Sequence, residues 1–198
     1  MPFVFKRLAL VLSIAAAYAA DKEAPFRPGL ASTYPNKMSD AGMVVAADPY
    51  TTEEKLKTAF GKLDPTEYGI LPVLVLIQND SGKAIRLDNL RARYNGSGTN
   101  RVEAIPAREV RYLQGPDRPK MIPGPTGKIK IGKTKKNPLD AWEIEGRSFT
   151  AKILPPGQSA YGFFYFNTAL QSGATIYLTG MSEAATGKEI LYFEVPLP

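Results

Sequence analysis

The chain contains neither cysteine nor histidine, and a single tryptophan, among 198 residues. Without cysteine there is no disulfide staple, no thiolate nucleophile and no zinc–thiolate site. Without histidine, the Ser-His and Cys-His pairs, imidazole acid–base chemistry and the usual zinc and iron ligand sets are excluded too. Carboxylates, lysines, tyrosines and hydroxyls are what is left for chemistry. Long apolar runs are equally scarce. Leu8–Ala17 has ten residues, well below the roughly 20 that a spanning helix needs, and no later stretch is apolar enough.

Leu8–Ala17 has instead the layout of an export signal. Lys6 and Arg7 precede it, and Ala17-Tyr18-Ala19 supplies the small residues of an A-x-A cleavage site. The expectation is a signal peptide over 1–19, a mature chain starting near Ala20, and a periplasmic or secreted location. The absent cysteine also removes the attachment point for a bacterial lipid anchor. The mature chain would have 179 residues, enough for one domain with a real core and with no transmembrane helix.

What is present is led by Ile70–Asp80, ILPVLVLIQND, an unbroken apolar run ending in a polar turn. Val73, Val75 and Ile77 alternate with Leu74 and Leu76, so a strand here is apolar on both faces. Tyr161–Phe166, YGFFYF, is the second such signal, and the two are expected as central strands of one core. Residues 20–41 read as an extended, proline-containing leader, and Met43–Ala47 as a short strand. Thr51-x-x-Glu54 is a capping box, and Leu56, Ala59, Phe60 and Leu63 follow at helical spacing. That one short amphipathic helix is expected to cover the outer face of the Ile70–Ile77 strand.

Beyond the turn Asn79–Lys83 the pattern alternates again. Ile85, Leu87, Leu90, Ala92 and Tyr94 take one side, with a shift at Asn89, and Arg86, Asp88, Arg91 and Arg93 the other. This reads as the second strand of a hairpin, with one wet face. Arg101–Ile105, Phe149–Leu154, Ala174–Gly180 and Glu189–Leu197 are further strand candidates, and Met181–Lys188 closes the last hairpin. Ala107–Leu113 and Trp142–Arg147 fit either a helical turn or an extended segment. About eight strands without regular helix–strand alternation favour an antiparallel sandwich over a parallel sheet.

Residues 114–138 break the pattern with five prolines, four glycines and almost no core-forming side chains. Seven basic residues against Asp117 give this loop a charge of +6, while the rest of the mature chain carries −2. The basic character belongs to one loop. Lys128, Lys130, Lys133, Lys135 and Lys136 are therefore the candidate contacts to an anionic polysaccharide or lipid surface.

The segments AFGKLDPTEYGILPVLVLIQNDS, ILPPGQSAYGFFYF and TGKEILYFEVPL together resemble uncharacterised secreted bacterial proteins with an immunoglobulin-like β-sandwich. The resemblance covers most of the mature chain and rests on structural motifs: strand, turn and proline-glycine corner. It implies a mainly β, immunoglobulin-like antiparallel sandwich over 42–198 and an extracytoplasmic home. It carries over no catalytic residue.

Four constellations hold residue types suited to chemistry. Gly127–Thr134, GKIKIGKT, matches G-x-x-x-x-G-K-[ST], but the lead-in MIPGPT is no strand of a phosphate-binding loop and Pro138 disrupts the helix that should follow. Ser159 misses the nucleophile-elbow pattern by one residue and has no histidine to activate it. Asn79, Asp80 and Asp88 fit no calcium-loop spacing, and a plain turn explains them. Asp140, Glu143 and Glu145 cluster near Trp142, the one arrangement that suits a carbohydrate-active enzyme or lectin-like domain. The favoured expectation is a non-enzymatic, exported binding or structural module of the cell envelope. It uses no cofactor, metal or nucleic acid, and its partner is an unidentified envelope protein or an anionic surface.

Overall fold

A computed structural model describes residues 26–113, 121–123, 129–131 and 137–198. The expected signal peptide, 1–19, lies outside the described residues. No helix among the described residues is long and apolar enough to cross a membrane.

The apolar run forms β3 (Leu71–Asn79), the longest strand, and its two faces enter two different cores. On one side of β3 lies β2 (Met43–Pro49), which in turn pairs with β1 (Lys37–Asp40); on the other lies β10 (Ser159–Phe166). All pairings in this first sheet are antiparallel. Residues 37–40, read as part of the leader, thus form an edge strand, and Ala31 and Phe26 also pack into the molecule.

Val73, Val75 and Ile77 face a second sheet made of β5 (Arg91–Asn95), β6 (Arg101–Glu103), β11 (Thr175–Thr179) and β14 (Phe193–Pro196), ordered β14-β11-β5-β6. Ala92, Tyr94, Ile176, Leu178, Phe193 and Val195 supply its buried face. The two sheets make the expected antiparallel sandwich. The immunoglobulin-like connection pattern implied by the resemblance is not established by these sheet orders. A small third sheet of β4 (Ile85–Arg86), β9 (Ile153–Leu154), β12 (Met181–Glu183) and β13 (Glu189–Ile190) closes one end. β7 (Met121–Pro123) and β8 (Ile129–Ile131) form a separate hairpin.

Leu74 and Leu76 point the other way, beneath α1 (Glu53–Phe60), α2 (Ala107–Val110) and α3 (Trp142–Gly146). As expected, α1 lays Leu56, Ala59 and Phe60 on the outer face of β3. Its cap is displaced by one residue from the capping-box reading. Thr52, not Thr51, is the N-cap, and its hydroxyl accepts from the Lys55 amide, so Glu53 and Glu54 fall in the first turn, where the helix dipole favours them. α2 and α3 resolve the two ambiguous segments as helical.

The expected hairpin between the apolar strand and the segment after Lys83 does not form. β4 and β5 pair with β12 and β11 instead, in the other two sheets. The cause is Asn79, which is fully buried. Its side-chain amide donates to the carbonyls of Lys83, Leu154 and Pro155, and its carbonyl oxygen accepts from the Ser81 amide and hydroxyl. These bonds turn the chain away from β3 and tie the corner to the β9–β10 connection.

The last hairpin keeps one register from β11–β14 through β12–β13, so it runs from the second sheet into the third without a slip. The opposite strand does slip: Leu87–Leu90 form a turn between β4 and β5. Gly180 sits against that turn with φ +83, and a Cβ there would collide with the Asn89 carbonyl. Gly162 meets a similar demand. Its missing side chain leaves room for the Ser148–Phe149 backbone to pass around the edge of β10. That edge is further covered by Ile105, whose amide donates to the Tyr165 carbonyl. Ala104 bonds to β5 and Ile105 to β10, so this tract bridges the two sheets and leaves little free edge.

Candidate functional site

The helical side carries the tryptophan and carboxylates singled out in the sequence. Arg111, just past α2, reaches α3 and the segment before it. One Nη bonds Asp140 at 2.7 Å and the other bonds Glu145. Two of the three carboxylates are therefore joined to the same guanidinium. Asn137 fastens the same junction, donating to the Arg111 carbonyl at 2.7 Å while its own oxygen accepts from the Leu139 amide. Arg111 and Asn137 are thus tied to each other directly.

Trp142 is 68 % exposed. Its ring lies close over Gly146, and the Arg147 guanidinium stands 5.7 Å from it. Arg147 also stacks on Phe26 at 5.1 Å and donates to the Thr58 carbonyl at 3.0 Å. It fastens α3 to α1 and to the N-terminal tract. Beneath it lies an aromatic cluster, with Phe163 4.8 Å from Tyr50 and 4.9 Å from Phe60. Burial pushes the phenols of Tyr50 and Tyr165 well above their ordinary range, with Arg147 opposing in both cases. The Tyr165 hydroxyl donates to the Ile144 carbonyl. These are protonated structural groups.

Among the basic-loop candidates, Lys128, Lys133, Lys135 and Lys136 lie outside the described residues, and Lys130 belongs to β8. That strand falls in the middle of GKIKIGKT and pairs antiparallel with β7. A phosphate-binding loop needs those amides wrapped around an anion, so the motif match is not one. Ser159 opens β10. Asn79 is occupied by its backbone bonds, Asp80 accepts from Gln78, and Asp88 lies 3.9 Å from Arg86. No group of three metal-binding side chains occurs among the described residues.

The sequence reading missed the outer face of the second sheet as a site. Alternation puts Arg91, Arg93 and Asn95 of β5 on that face, with Tyr177 and Thr179 of β11, Glu194 of β14, and Arg101 and Glu103 of β6. Arg93 lies opposite Tyr177 in one register and Glu103 in the other, and its guanidinium sits 4.8 Å from the Tyr177 ring centre. Its Nε donates to the Asn95 side chain at 3.1 Å. Tyr177 stacks in turn on Tyr192, centroids 5.1 Å apart. Among the described residues, no carboxylate lies within ion-pair distance of Arg91, Arg93 or Arg101. An open cleft of about 310 Å³ runs between Arg91, Arg93, Glu103, Tyr177 and Thr179. The signal was in the sequence, as Arg91 and Arg93 on the wet side of an alternating strand. Tyr177 and Tyr192 could not be joined to them without the strand order.

No family model matches the chain, and no curated protein matches it. Among solved structures it is similar to a candidate lipoprotein of Bacillus subtilis, at 10 % identity and a TM-score of 0.37 over 81 % of this chain. The chain spans 38 % of that protein's length. It is also similar to MPT63, a secreted protein of Mycobacterium tuberculosis, at 10 % identity and a TM-score of 0.32, over 86 % of this chain and 99 % of that one. Likeness at these scores carries no argument about what this chain does.

Proposed function

We propose that the protein is an exported, non-enzymatic β-sandwich that serves as a binding module of the cell envelope. The observation that carries this reading is the Arg111 clasp. Asp140 and Glu145, two of the three carboxylates nearest Trp142, share one guanidinium that locks α2 to α3. A glycosidase needs its two carboxyls free to act on either side of a scissile bond, and a shared arginine works against that. Export rests on the Lys6–Ala19 signal layout. The competing reading is a carbohydrate-active enzyme or lectin-like domain around Trp142.

Expression in a Gram-negative host, with cell fractionation and N-terminal sequencing, tests the first part. The expected product is periplasmic and begins near Ala20; cytoplasmic protein retaining Met1 would refute export. A broad glycoside and ester panel tests the second part, with no turnover expected. Activity abolished by Asp140→Asn, Glu143→Gln or Glu145→Gln would make the protein an enzyme.

A further inference from the structure

We propose that the outer face of the second sheet is a binding site for an acidic, uronate-bearing polysaccharide. Arg91 and Arg93 would take the sugar carboxylates, and Tyr192, 44 % exposed, would offer its outer face to a sugar ring, with Tyr177 packed between it and Arg93. The inference rests on the envelope-binding reading and names the site and ligand class for it.

Three features converge on this face. First, its arginines are not engaged by carboxylates. Elsewhere the fold pairs Arg111 with two acids and Lys55 with Asp48 at 2.8 Å, yet Arg91, Arg93 and Arg101 have none within reach among the described residues. Second, the recognition group is held in place before any ligand arrives. Arg93 is fixed by the Tyr177 ring on its face and by Asn95 at its Nε, so a planar carboxylate meets a guanidinium that loses little freedom on binding. Third, the platform is aromatic and rigid. Tyr177 of β11 stacks on Tyr192, which stands just before β14, and tyrosine gives large contact area with few rotatable bonds.

The charge pattern separates a polysaccharide from a membrane. Glu103 lies opposite Arg93 and Glu194 opposite Tyr177, and both are exposed. A continuous anionic lipid surface would lay its charge on both carboxylates at once, whereas a single chain can run its charges past them along the arginines. A uronate chain can set carboxylates on the arginines and turn hydroxyls toward Glu103, while Glu194 already accepts the Thr175 hydroxyl at 2.8 Å. The cleft, about 310 Å³ and open along the sheet, is shaped for part of a chain and not for an enclosed small molecule.

Binding of the mature protein to immobilised polygalacturonate, its methyl-esterified form and vesicles containing phosphatidylglycerol is the test. Polygalacturonate should bind, and the neutral ester at least about ten-fold more weakly. Arg91→Gln and Arg93→Gln should each lower affinity roughly ten-fold, the loss expected for one charge-assisted contact. Tyr177→Ala should also weaken binding, and none of the three should move the melting temperature by more than a degree or two. Replacing Lys128, Lys130, Lys133, Lys135 and Lys136 by Ser should change affinity less than about three-fold.

Any one of several results overturns the proposal: no binding to polygalacturonate, equal binding of the ester, preference for vesicles, indifference to both arginine variants, or loss of binding confined to the five-lysine variant. Co-sedimentation with isolated envelopes is measured alongside. Sedimentation without polygalacturonate binding removes this site and ligand while leaving the envelope reading intact. Failure to sediment removes the envelope reading itself.

Discussion

The helical side and the outer face of the second sheet hold similar residues and use them in opposite ways. On the helical side Arg111 is bonded to Asp140 and Glu145, and Arg147 is wedged between Phe26 and Trp142 while bonded to Thr58. Apart from Arg147 against Trp142, each of these contacts joins one element of this chain to another. On the sheet face Arg93 lies on Tyr177 and bonds Asn95, but those contacts stay within neighbouring strands that backbone bonds already hold. The sheet has no need of these side chains. The difference teaches that an arginine's surroundings matter more than its exposure when judging whether it is free to bind.

The contrast can be broken most directly by truncating a ring on each side. Phe60→Ala should cost roughly 3–5 kcal/mol, because the ring is buried against Phe163 beneath α1 and leaves a cavity. Tyr177→Ala should cost less, about 1 kcal/mol, its ring being partly exposed on the sheet surface and not enclosed in a core. Chemical denaturation measures both. Equal losses would mean that the sheet face is structural as well.

Alkaline titration sharpens the comparison next. Burial raises the phenol pKa of Tyr34, Tyr50, Tyr94 and Tyr165 above the ordinary value. A raised folded-state pKa gives stability that is fully present below about pH 10 and is lost as pH climbs toward the folded value. The melting temperature should therefore fall above pH 10, and ultraviolet difference absorbance should show Tyr50 and Tyr165 ionising only as the protein unfolds, with Tyr34 and Tyr94 later than the exposed tyrosines. Ionisation of all tyrosines in one step, with no loss of structure, would contradict the burial described.

The smallest effect compares the arginines. Arg111→Ala should destabilise by about 1 kcal/mol, since a guanidinium one-third exposed is screened by water even with two partners. Arg91→Gln should stay within about 0.5 kcal/mol of the parent. A larger loss at Arg91 than at Arg111 would reverse the assignment of roles.

Much of the fold was legible because its signals are local. The double-faced apolarity of Val73–Ile77 announced two cores, and the stripe Leu56, Ala59, Phe60 announced what covers one of them. The false hairpin after Asn79 has a physical origin. Alternation reports which face a side chain takes, not which strand lies beside it, and the bonds from Asn79 to Leu154 and Pro155 span 75 and 76 residues. The sheet-face site was hidden for the same reason. Arg93 and Tyr177 are neighbours only through β5–β11 pairing, whereas Asp140, Glu143 and Glu145 attracted notice by standing close in sequence.

The strand order also sets when this chain can become a folded object. β3 waits for β10, and β5 pairs with β11 some 80 residues later, while β14 completes the second sheet from Phe193 onward. Pairings this distant close slowly, because loop entropy is lost before any contact rewards it. A growing chain that has made β5 already holds β1 and β2 beside β3 but lacks β10 and β11, so both sheets stay incomplete until the last strands emerge. Such a polypeptide is easily threaded through a narrow channel before it folds. The cost is an interval in which one edge of β3, an apolar strand, lacks its β10 partner and is open to aggregation.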